Sequence, residues 1–151
     1  EIDLTIFIPG EPSDTLTSNG CQRTYPNKTY RPLADLKSDK LLALEKYKYE
    51  REIGGMLFNS KKIPTDDRAK SLIMGAWVKA ERSASYQKNW KVGLGQYDVL
   101  NAAQIVALGD ALESHISFCF EKEREHALAI LALTTPGDVV AYDFKTGWPL
   151  S

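Results

Sequence analysis

The chain has 151 residues, 43% of them hydrophobic and 26% charged, with a net charge of -1, so one domain is the default and roughly two-thirds of the unfolded surface can be buried. The near-neutral balance excludes a globally basic nucleic-acid binder and a protein drawn as a whole to anionic membranes. No apolar run approaches the ~20 residues of a bilayer span, no signal-peptide pattern opens the chain, and two distant cysteines, Cys21 and Cys119, are expected to be reduced thiols.

Ile2, Leu4, Ile6 and Ile8 alternate with Asp3, Thr5 and Phe7, the period-2 pattern of a strand with one apolar face, and Pro9-Gly10 ends it. From Glu11 to Pro32 the prolines, serines and Asn19-Gly20 read as loop, with a short hairpin at Asn19-Gly20. A helix is expected from Leu36 to Ile53, capped by Asp35 or Ser38 and stopped by Gly54-Gly55. Leu42, Tyr49 and Ile53, flanked by Leu41, Leu44 and Tyr47, form its loose apolar stripe. Lys46–Glu50 and Lys48–Glu52 sit at the i,i+4 spacing of a solvated face.

Met56-Leu57-Phe58 and Ile63 bracket Asn59-Ser60-Lys61-Lys62 as a small hairpin, and Pro64 breaks it. Thr65 or Asp66 caps the next helix. Its stripe of Ala69, Leu72, Ile73, Ala76, Trp77, Ala80 and Ala84 is the clearest in the chain, and its alanines admit a close partner helix. Trp90, Val92 and Leu94, a turn at Gly95-Gln96, then Tyr97 and Val99 predict a second hairpin. Asn101 and Gln104 then form a capping box for a long helix from Ala102 to Leu133. Ile105, Leu108, Leu112, His115 and Cys119 make its stripe, continued by Ile116, Ala127, Ile130 and Leu131. At 1.5 Å per residue such a helix is about 48 Å long, which predicts packing on another chain or projection from the body. Thr135-Pro136 caps a final turn through Tyr142, and Gly147-Trp148-Pro149 closes the chain. The fold class expected is mainly α with small β elements (α+β), with 1–54 as a docking segment and 55–151 as a helical domain.

No catalytic, cofactor-binding or metal-ligating residue set emerges. His115 and His126 lie eleven residues apart on one predicted helix, about 16 Å along its axis, too far to share a metal. Asp66 and Asp67 point about 100° apart on a helix, and cap and dipole work suits them better than acid–base chemistry. Glu121 to Glu125 alternates in sign, as a salt-bridged solvated face does. Gly93-Leu94-Gly95 lacks the third glycine and the strand-to-helix context of a phosphate loop. Cys119, between Phe118 and Phe120, reads as a small buried hydrophobe.

The stretch from Gly55 to Pro149 carries Met56-Leu57-Phe58 with Ile63, the run Thr65 to Lys70, Trp90, Leu100 to Ile105, His115 to Glu123, and Gly147-Trp148-Pro149. In that order and spacing it resembles an uncharacterised domain family of tailed-phage tail-fibre and tail-fibre-assembly proteins. The resemblance implies a non-enzymatic structural or adaptor role in the virion tail, in a protein made in the host bacterial cytoplasm. It implies other tail or fibre proteins as partners and a homo-oligomer, in tail fibres commonly a trimer, with no nucleic acid, membrane insertion or cofactor. The alternatives are a tail-fibre assembly chaperone and, behind it, a host-glycan-binding or glycan-cleaving tail protein. Aspartate at Leu112 or Ile116 is expected to break association or folding.

Overall fold

The computed structural model describes residues 7–8, 13–17, 20–24 and 29–149. The fold is mainly α with small β elements: four helices and four two-stranded antiparallel sheets among the described residues. The chain divides into two compact units that interleave in sequence. One holds residues 1–43 and 127–143, the other 44–126 and 144–151.

In the first unit, β1 (Phe7–Ile8) pairs with β4 (Thr29–Tyr30), and β2 (Ser13–Thr17) with β3 (Gly20–Thr24). The expected strand from Ile2 thus has only its last two residues in the described range, and Pro9-Gly10 lies outside it. The stretch from Glu11 to Pro32, expected as loop with a short hairpin at Asn19-Gly20, carries a hairpin there with strands of five residues each, Thr17 pairing with Gly20. Composition hid the extent of these strands, because Ser, Asp and Thr are as much turn residues as edge-strand residues.

Helix α1 (Leu33–Ile53) begins earlier than its cap candidates suggest. The Asp35 and Leu36 N–H groups both donate to the Pro32 carbonyl, which places Asp35 in the first turn and Ser38 inside the helix. Within the first unit Leu36 is buried with Ile130 and Val139. Lys37 donates to the Leu131 carbonyl at 2.6 Å and Lys40 to that of Val140 at 2.9 Å. These lysines satisfy carbonyls near helix ends, groups with no partner inside their own helix. Helix α4 (Pro136–Ala141) starts as expected: the Thr135 side chain accepts from Asp138 N, and proline occupies the first turn.

The second unit carries the main core. The hairpin of β5 (Met56–Phe58) and β6 (Lys61–Ile63) turns through Asn59 and Ser60, at φ 49° and 63°. Lys61 and Lys62, expected in the tip, belong to the strand. Helix α2 (Asp67–Arg82) is capped by Asp66, whose carboxylate accepts from Ala69 N at 3.0 Å. Strands β7 (Gln87–Gly93) and β8 (Gln96–Asn101) form the second hairpin, with Gly95 at φ 70°. Asn101 and Gln104 exchange two 3.0 Å bonds as the capping box of α3 (Ala102–Ala132).

Met56, Ile63, Ile73, Leu108 and Leu112 form one buried cluster, flanked by Phe58, Trp90, Leu100 and Ile116. Ala76, Ala80, Ala102 and Ile105 form a second, flanked by Tyr86 and Val106. The α3 stripe of Ile105, Leu108, Leu112, His115 and Cys119 is buried throughout. The α2 stripe is narrower than expected. Ile73, Ala76 and Ala80 are buried, Trp77 is half-buried, Leu72 is exposed, and Ala84 lies beyond the helix. Residues 102–126 of α3 belong to the second unit and 127–132 to the first.

Candidate assembly site

Two features of the second unit could carry function: a polar knot around the end of α1, and an apolar groove along α2 and α3. The knot centres on Glu52, next to last in α1. Its backbone carbonyl accepts the Thr65 hydroxyl at 2.6 Å and approaches His115 Nε2 at 3.3 Å. A carbonyl only accepts, so that imidazole nitrogen carries the proton. Thr65 Oγ1 in turn accepts from Gly55 N at 2.9 Å. Gly55 sits at φ 100°, and a Cβ there would meet the Ile63 carbonyl at 3.1 Å, so glycine both ends α1 and admits the hairpin. Thr65 is therefore not a helix cap: fully buried, it ties the end of α1 to the entrance of α2.

The Glu52 carboxylate meets Lys70 at 2.7 Å and Lys48 at 3.4 Å. Lys48 also lies 3.9 Å from Glu123 and 4.0 Å from the centre of the Phe120 ring. The Lys48–Glu52 pair, expected on a solvated face, is thus largely buried, at 13% and 11% side-chain exposure. Lys46–Glu50 does lie in water, at 4.0 Å. Burial alone would push the Glu52 carboxyl up, but the hydrogen bond and charge of Lys70, then Lys48, hold it below its ordinary range. Lys70 loses to burial and gains more from Glu52 and Asp67, and it stays protonated beyond the ordinary lysine range.

This knot has the chemistry of a structural clamp. Its carboxylate is saturated by two ammonium groups, and its imidazole is spent on a helix-end carbonyl. Cys119 beside it is fully buried, and burial together with the Glu52 charge pushes its thiol up to about 11, which leaves no thiolate for chemistry. Among the described residues no group of three or more His, Cys, Asp or Glu side chains could hold a metal ion. No helix there is long and apolar enough to cross a membrane.

His126 is held differently. Its Nε2 lies 3.1 Å from the Thr146 carbonyl, and its ring stacks on Trp148 at 5.9 Å. Trp148 donates Nε1–H to the Phe144 carbonyl at 2.7 Å, and both rings meet Tyr47 edge-on. Arg51 donates to the Pro149 carbonyl. The closing Gly147-Trp148-Pro149 motif is thereby a strap over α1 and α3. The Glu121 to Glu125 run forms the expected surface pairs, Lys122–Glu125 at 2.6 Å and Arg124–Glu121 at 3.6 Å.

The groove, of about 600 Å³, is lined by Met74 and Trp77 from α2 and by Gly109, Leu112 and Ile116 from α3, with Lys70, Asp110 and Glu113 among its polar residues. Gly109 makes it possible. A Cβ there would sit 2.5 Å from Trp77 Cδ1, so glycine lets the indole lie against the α3 backbone. The indole Nε1–H is buried and meets no acceptor among the described residues. Met74 remains 42% exposed, and next to it Val78 39%. Periodicity found Trp77 as a knob in a helix seam. It could not find the groove, which depends on Gly109 and on which flank of α3 faces α2. Leu112 proves to be core, so aspartate there reports on folding, whereas Ile116 is half-buried at the groove wall.

No curated protein and no solved structure matches the chain. A family model described as a domain of unknown function (DUF4376) matches residues 35–146, from the first turn of α1 to just before the strap, and the chain belongs to that family.

Proposed function

We propose that this chain is a non-enzymatic structural or adaptor module of a phage tail, associated with tail fibres and assembling with other tail or fibre proteins through helical packing. The α2/α3 groove is the observation that carries the reading. It presents an apolar floor with the exposed Met74 at its edge, the form a helix-in-groove contact takes. The tail association rests on the sequence resemblance from Gly55 to Pro149, whose residues supply hairpin, caps, core stripe and strap. On this reading the chain is made in the host cytoplasm and resides in the virion tail. Mass spectrometry of purified particles tests it: the chain is expected at fixed stoichiometry with the fibre. Its absence from particles that contain the fibre would replace this reading with an assembly chaperone. Met74→Asp should lower incorporation without unfolding the chain, because the residue is exposed.

A second reading, binding of host glycan, is favoured by a separate groove of about 350 Å³ between α2 and the β7–β8 hairpin. It brings Trp90 and Tyr97 together with Arg68, Lys88, Lys91 and Asn89, rings for stacking a sugar and polar groups for its substituents. Binding of host surface polysaccharide that survives Tyr97→Ala together with Lys91→Ala would remove the support this groove gives.

A further inference from the structure

Among the described residues the outer face of α2 packs against no other element, its Asp67 pairing only with Lys70 of the same helix at 3.1 Å, yet it is organised. At 3.6 residues per turn Asp67, Ser71, Met74, Gly75, Val78 and Arg82 share one side, opposite the buried Ile73, Ala76 and Ala80. All six are exposed. Gly75 stands mid-helix, where glycine costs about 1 kcal/mol relative to alanine. A Cβ added there would meet nothing within 4 Å, so no contact inside the described chain requires glycine. What such a position offers is close approach for another backbone.

We propose that two copies of this chain associate through this face, with their α2 helices antiparallel and the two-fold axis passing between Met74 and Gly75. The charge pattern selects a second copy as the occupant. A two-fold axis there sets Met74 against the partner copy's Gly75, a knob over a hole. It sets Ser71 against Val78, small against branched, and Asp67 at the acidic end against Arg82 at the basic end. Each pairing occurs twice, as an isologous contact demands, and the helix dipoles oppose favourably. Arg68 and Lys79 are the like charges the arrangement brings near each other, and they meet at the rim in water, where salt screens them. A parallel arrangement would instead face Asp67 with Asp67 and Arg82 with Arg82. The inference names the self-association surface within the assembly reading above, and it holds or fails without reference to location in a tail.

The test is solution mass by light scattering across a concentration series of the full chain. The wild type is expected to move toward twice the chain mass as concentration rises. Gly75→Leu should remain monomeric with an unchanged or higher melting temperature, since leucine improves the helix while filling the space Met74 needs. Asp67→Arg and Arg82→Asp should each weaken association about tenfold, through two symmetric charge pairs apiece. An equimolar mixture of the two single variants, or the double swap in one chain, should restore it. A wild type that stays monomeric throughout overturns the proposal, as does Gly75→Leu associating like wild type. Single variants whose mixture fails to recover overturn the antiparallel register. Virion content of the chain is read separately, so loss of the dimer leaves the tail reading standing.

Discussion

Helices α1 and α2 are held by opposite means. Helix α2 buries Ile73, Ala76 and Ala80 and, Lys70 apart, leaves its charges in water. Helix α1 turns Leu36 and Leu44 inward but also Lys40, Lys48, Arg51 and Glu52, while Leu42 and Tyr49 stay exposed at 61% and 47%. Each inward charge on α1 ends on a carbonyl or an opposite charge: Lys40 on Val140, Arg51 on Pro149, Lys48 on Glu52. An apolar stripe holds a helix without directional demands. A charged one holds it only where all its partners are in place, so its removal leaves orphans.

The largest expected effect probes the apolar side of that contrast. Ile73→Ala should cost about 3–4 kcal/mol in urea unfolding, as a fully buried isoleucine leaves a cavity between the hairpin and α3. A loss below 1 kcal/mol would show that the site collapses freely. On the charged side, Glu52→Gln should cost about 2–3 kcal/mol, low in the range for breaking a buried pair because the carboxylate keeps some contact with water. The same variant fixes the pH response. The Glu52 carboxyl is depressed in the folded chain, so its stabilisation is complete above the ordinary carboxylate range and is lost as pH falls through the depressed value. Acid unfolding followed by circular dichroism should therefore be shallower in Glu52→Gln than in wild type. Identical acid limbs would assign the pH response to other groups.

Thr65→Val should cost about 1–2 kcal/mol, because Gly55 N loses its acceptor and the Glu52 carbonyl keeps only the longer His115 contact. Thr65→Ser, which keeps the hydroxyl, should recover most of it, and equal losses in both would point to packing instead. Lys46→Ala is the smallest: its pair with Glu50 lies in water, and melting should shift by no more than an equivalent of about 0.5 kcal/mol. A larger shift would mean that α1 depends on its solvated face too.

Legibility followed the same division. The α3 stripe, the Asn101–Gln104 box, the Thr135-Pro136 start and the two hairpins of the second unit were readable, because each depends on neighbours a few residues away. The α1 stripe was misread: periodicity counts apolar residues, and the inward positions of α1 are partly lysine, arginine and glutamate. Thr65 looked like a cap because its side chain can bond backbone N–H groups. It does so, but the N–H belongs to Gly55, ten residues back.

Sequence by itself therefore determined the mainly helical class and the long α3 with its buried stripe, since these are matters of period and residue type. Only tertiary structure decided that Glu52 gathers Lys48, Lys70, Thr65 and His115, that Gly109 opens a groove against Trp77, and that Gly75 faces outward with no described residue near the place of its missing side chain. The physical reason is that a side chain's partner across a helix packing or beyond a hairpin is set by three-dimensional register, and neither composition nor periodicity encodes that register locally.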